Sequence, residues 1–167
     1  MSEPDKDNCD ELWRQLVEAE SRFYAAGNLV LTSCRNQLVE LIRPALLRPH
    51  QTVTALRMAK FLTIEERQSL LPDLLGIACS YHGQTAFARE LVLDLPHEWL
   101  INNIEASAER LLQYNSYEEY QGLFQIYMEL DLTLAKKLTE RAARHSDPDI
   151  QDASDHFLEA LRQEGEL

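Results

Sequence analysis

The stretch Ser116–Met128, SYEEYQGLFQIYM, decides the fold class, because it holds both the start signal of a helix and the face that the helix buries. Ser116 and Glu119 stand three apart, so the hydroxyl can accept from the amide of Glu119 while the carboxylate reaches back to the amide of Ser116, satisfying two donors that a helix start leaves orphaned. Tyr120, Leu123, Phe124, Tyr127 and Met128 then recur at three- and four-residue spacing, the period of a helix and not the alternation of a strand. Tyr117, Tyr120, Phe124 and Tyr127 form one stripe, which predicts core packing; tyrosine is also a common interface anchor, which makes Tyr117 a candidate partner contact.

The same reading extends outward in both directions. Thr63 and Glu66 form another capping box, and Pro72 suits a first helical turn, so a short turn at 64–69 is expected before a helix over 70–80, or one kinked helix. Asp94 is expected to cap the helix through Trp99, Leu100, Ile104 and Leu112, with Pro96 in its first turn. Asp131 is expected to cap another helix, and Ser146 with Pro148 and Asp149 to open the last. Toward the N-terminus, Asp10 is the expected cap of a helix bearing Leu12, Trp13, Leu16, Val17, Ala19 and Phe23. Gly27 and Asn28 are expected to stop it, a second helix to run from Leu29 to a break or kink at Pro44, and a third to carry Val53, Leu56 and Ala59. Turns are expected at 48–50, at His82–Gly83 and at 114–116.

With 5 Gly and 6 Pro in 167 residues and no β-branched runs, the chain lacks the turn supply of an all-β fold. The expected fold is all-α: antiparallel helical hairpins arranged as a short α-solenoid or an irregular helical bundle. One helical domain over 10–163 is expected, between a disordered acidic tail at 1–9 and a frayed end at 164–167.

Self-similarity bears on solenoid against bundle. Residues 55–62 overlay 86–93 at an offset of 31, and Leu70, Leu71, Leu74 and Ala78 overlay Leu100, Ile101, Ile104 and Ala108 at an offset of 30. Leu75, Gly76, Gly83 and Ala88 stand at the spacing where a small residue lets paired helices approach, and on these residues the middle third resembles the tetratricopeptide and HEAT-like α-solenoids. Pro72 stands where that pattern has an aromatic residue. The resemblance implies a short solenoid of stacked helical hairpins.

The formal charge of −12 disfavours nucleic acid and anionic lipid, since binding either normally requires a basic surface. No stretch approaches the ~20 apolar residues of a membrane span, and the acidic start is not a secretory signal. Cys9, Cys34 and Cys79 are odd in number and widely spaced, as expected of reduced, mostly buried cytoplasmic thiols.

Nucleophile, phosphate-loop and dinucleotide motifs are absent, so no catalytic residue, cofactor or metal is assigned. Asp152 and His156 share a helix face but supply only two ligands, and His145, Asp147 and Asp149 lack the central Gly and terminal Glu of a calcium loop. Charge is segregated: over 35–67 the cations Arg35, Arg43, Arg48, Arg57, Lys60 and Arg67 exceed Glu40, Glu65 and Glu66 by three. From Asp147 onward seven acids oppose only Arg162. That polarity is expected either to provide a basic docking face or to be spent on pairs with acidic neighbours. The expected function is a non-catalytic protein–protein interaction module, an adaptor or subunit of a larger assembly. Its partner would be an acidic protein or a second copy. The alternative is a small helical enzyme or ligand-binding protein with a pocket between helices.

Overall fold

The computed structural model describes residues 6–80, 83–113, 116–163 and 165. Among them are ten α-helices and no strand: α1 Lys6–Ser33, α2 Leu38–Leu46, α3 Thr52–Ala59, α4 Ile64–Ser69, α5 Leu71–Ala78, α6 Thr85–Leu93, α7 His97–Leu112, α8 Tyr117–Leu130, α9 Leu132–Ala143 and α10 Pro148–Gln163. The fold is all-α. His82, Tyr114 and Asn115, on which expected turns fell, lie outside the described residues. The chain divides into two compact units, Met1–Leu41 and Ile42–Leu167.

The first unit is dominated by α1, which differs from expectation at both ends. It begins at Lys6, so Asp10 lies inside it, and it passes through Gly27 and Asn28 without a break. One glycine costs a helix interior about 1 kcal/mol, which a 28-residue ladder absorbs, and no described glycine before Gly165 has positive φ. The Thr32 hydroxyl donates to the carbonyls of Asn28 and Leu29 at 2.9 and 3.2 Å, supporting the last turn. A 3₁₀ turn at Arg35–Gln37 follows, and α2 continues two residues past Pro44 before it ends.

The second unit is built around α5. Leu71, Leu74, Leu75, Ile77 and Ala78 are all buried, because α5 is packed by α4, α6, α7 and α8. Helices adjacent in order pair, as α5 with α6, α8 with α9 and α9 with α10. Helices two apart also touch: α5 with α7, α6 with α8, and α8 with α10. The overlaid residues Leu70, Leu74 and Ala78 and their counterparts Leu100, Ile104 and Ala108 are all core.

Local starts form largely as the sequence predicts. Both capping boxes close, with Thr63 accepting from Glu66 at 3.3 Å and Ser116 from Glu119 at 3.4 Å. Asp131 accepts from the amides of Thr133 and Leu134, and Pro72 sits in the first turn of α5. Two caps differ. Pro96 precedes α7 as its cap, while Asp94 ends α6 and turns its carboxylate to Arg67. At α10 it is Asp147, not Ser146, whose carboxylate accepts from the amide of Asp149, at 2.9 Å. Cys9 is exposed rather than buried.

The close approach of helices falls elsewhere than the solenoid resemblance implies. A Cβ placed on Gly76 would meet nothing within 4 Å, whereas one on Gly122 would lie 2.5 Å from Cα and 2.7 Å from the carbonyl oxygen of Cys79. Helix α8 therefore rests against the C-terminal end of α5 through a missing side chain, and burial there pushes the Cys79 thiol up to about 12. The Tyr120–Phe124–Tyr127 stripe is core, with Phe124 stacked on Phe157 of α10 at a centroid distance of 4.0 Å. Gly122→Ala is expected to destabilise the fold by roughly 1–3 kcal/mol through forced separation of α5 and α8. Gly76→Ala is expected to be neutral or stabilising by up to about 1 kcal/mol. Urea unfolding of the two variants against the parent checks both.

Candidate interaction surface

The candidate cations are mostly engaged with acids or backbone. Arg43 donates from Nη2 to the Ser69 carbonyl at 2.8 Å, and its Nε lies 3.8 Å from Asp73 of α5. Lys60 bonds Glu90 of α6 at 2.7 Å and stands 4.9 Å from the Phe87 ring centre. Arg67 bonds Asp94 at 2.5 Å. Arg57 is exposed and has a partner of its own, and Arg35 is half-buried in the other unit, also with a partner. Arg48 is exposed, in the turn between α2 and α3. Tyr117, in the first turn of α8, is 39% exposed while the rest of its stripe is buried. Arg43, Lys60 and Arg67 thus tie helices to later ones.

Further along, Lys137 and Arg141 of α9 repeat this with Glu105 and Glu109 of α7, Arg141 gripping Glu109 through both oxygens at 2.5 and 3.0 Å. That grip holds the Glu109 carboxyl below the usual range. These ion pairs join residues 27 to 32 apart. Hydropathy does not reveal such pairs, because each partner is merely a polar residue on a solvent-facing helix side.

The sequence reading also missed Leu47. It is 70% exposed and lines two shallow grooves. One, of about 390 Å³, runs between Pro49, Val53, Gly83 and Gln84. The other, of about 330 Å³, is formed by Pro72, Asp73 and Gly76 of α5 with Ser107 and Arg110 of α7. The absent side chain at Gly76 leaves this second groove open. Leu47 is held out by its turn: the buried Thr52 hydroxyl donates to the carbonyls of Leu46 and Arg48 at 3.1 and 3.0 Å, closing the chain around residues 47–51. Burial pushes the Asp73 carboxyl up despite the opposing pull of Arg43 and Arg110.

The described histidines do not converge. His97 of α7 lies 3.1 Å from the Leu130 carbonyl, His145 precedes α10 and accepts from the Asp147 amide, His156 is on α10, and His50 is in the turn before α3. Among the described residues no group of three or more His, Cys, Asp or Glu is arranged to hold a metal ion, and no helix is long and apolar enough to cross a membrane. No protein-family model, no curated protein and no solved structure matches the chain.

The two pairs nearest α6 differ in solvent access, which sets their worth. The Arg67 side chain is 12% exposed, whereas Lys60 and Glu90 are 45% and 63% exposed. A double-mutant cycle is expected to give about 1 kcal/mol or more of coupling for Arg67 and Asp94, and below about 0.5 kcal/mol for Lys60 and Glu90. Equal coupling would mean that burial of Arg67 adds nothing.

Proposed function

We propose that the chain is a non-catalytic interaction module, an adaptor or subunit of a larger assembly, that docks a protein partner on one face of a short α-solenoid. The exposed Leu47 carries this reading. A large apolar side chain held out by a tied turn and shared by two grooves is the geometry of an anchor contact. Arg48 follows it in the same turn, and Arg110 and Asp73 line the neighbouring groove, so the rim offers polar contacts to an acidic segment with an apolar anchor.

The solenoid reading draws on register. Arg43 with Asp73, Lys60 with Glu90, Glu105 with Lys137 and Glu109 with Arg141 cross at offsets of 30 or 32 residues, near the period of helical-hairpin repeats. Shallow open grooves suit a peptide or a protein surface better than an enclosed metabolite.

Affinity capture with the full chain is expected to retain a partner that the double variant Leu47→Asp, Arg48→Glu loses, with thermal unfolding unchanged because both side chains are exposed. Undiminished capture by that variant contradicts the placement of the site. No captured protein, together with a strong thermal shift from a metabolite panel, contradicts the function.

A further inference from the structure

We infer that α1 pairs antiparallel with α1 of a second copy of this chain. No residue from Asn8 to Ser33 is buried, although Leu12, Trp13, Leu16 and Val30, which share one helix face, are 38–67% exposed. With Cys9, Ala19, Phe23 and Ala26 of the same face they present on the order of 600 Å² of apolar side chain, the upper limit of what monomers usually leave uncovered. Two such faces brought together would remove about 1,200 Å², the size of a specific interface. A helix whose apolar face is exposed is also marginal by itself, so α1 gains from a partner.

The order of large and small residues names that partner. The face follows a strict seven-residue repeat, with Cys9, Leu16, Phe23 and Val30 at one seam position and Leu12, Ala19, Ala26 and Ser33 at the other. In a parallel pair like positions meet, so Phe23 would crowd its own copy while Ala19 and Ala26 left gaps. Reversing one helix sets the two seam positions against each other. With the pair centred on Ser21, Leu16 meets Ala26, Phe23 meets Ala19, Leu12 meets Val30 and Cys9 meets Ser33. Large then packs on small through the centre, which fills the seam without voids. Trp13, on the flank, comes to lie over Gly27 of the second copy.

Charge opposes this arrangement weakly. Glu20 meets its own copy near the centre on one flank, and Arg22 does so on the other. Both contacts stay in water, where salt screens them, whereas an unfilled seam is not relieved by salt. The antiparallel pair should therefore tighten as ionic strength rises.

The pairing lies on the first unit and stands apart from docking at Leu47. In sedimentation equilibrium the full chain is expected to give a species of twice 19.3 kDa at micromolar concentration, tightened several-fold by Glu20→Gln. Leu16→Glu with Phe23→Glu should yield a monomer in which thermal unfolding of the second unit is unchanged while the helix of the first melts earlier. Direction is read by oxidation with oxidised glutathione in a Cys34→Ser background. Adding Ser33→Cys should give a covalent dimer through Cys9 that the background alone does not form. Residues 9 and 33 of one helix lie about 36 Å apart, too far to bridge within a chain. A monomer at every concentration, a Cys9–Cys9 dimer in the background chain, or a dimer that survives the two glutamates would overturn the inference. So would a monomer in which the second unit is destabilised by them, which would mean that the face is covered by its own chain.

Discussion

The second unit depends on the contact in which Gly122 of α8 lies against the backbone of Cys79, leaving no room for a single methyl group. That contact lets α8 reach α5 while α5 keeps α6 and α7 on other sides, so one short helix is enclosed except where Pro72, Asp73 and Gly76 border the groove. A helix apolar on every side must be buried, and the LPDLLGIA segment of α5 meets that condition apart from its first-turn Asp73 and the open Gly76. Burial of its leucines supplies the driving force, and the Gly122 notch sets the distance at which packing is dense.

Around that centre the charges mainly hold register. Chemistry between Arg43 and Asp73, or between Arg141 and Glu109, is that of ordinary surface ion pairs, but their spacing fixes which turn of one helix faces which turn of another. The acidic excess and the local basic segment thus serve partly the same end, since cations in 35–67 meet acids on α5 and α6. What they leave uncovered is apolar: Leu47 in the second unit and the long face of α1 in the first.

Local signals in the sequence were legible because they act within one turn. The capping boxes at Thr63 and Ser116 and the cap at Asp131 each involve residues two or three apart, and all form. Gly27 misled because a glycine followed by asparagine resembles a stop, yet its cost is small beside a 28-residue ladder. The cap of α10 shifted by one residue because Asp147, adjacent to Ser146, offers the stronger charged acceptor. Gly122 and the ion pairs about thirty residues apart were illegible, since nothing within a helix shows which residue of a distant helix it will face. Leu47 was missed for a related reason: its exposure comes from the turn that Thr52 ties, not from its own flanks.

Native-state hydrogen exchange tests the enclosed-hub account most directly. If α5 is held by α4, α6, α7 and α8, the amides of Leu74 to Ala78 exchange only through global unfolding, at the free energy that urea unfolding reports, while those of α1 exchange faster. Exchange of the α5 amides through a local opening well below that free energy, with α9 and α10 still protected, would contradict it.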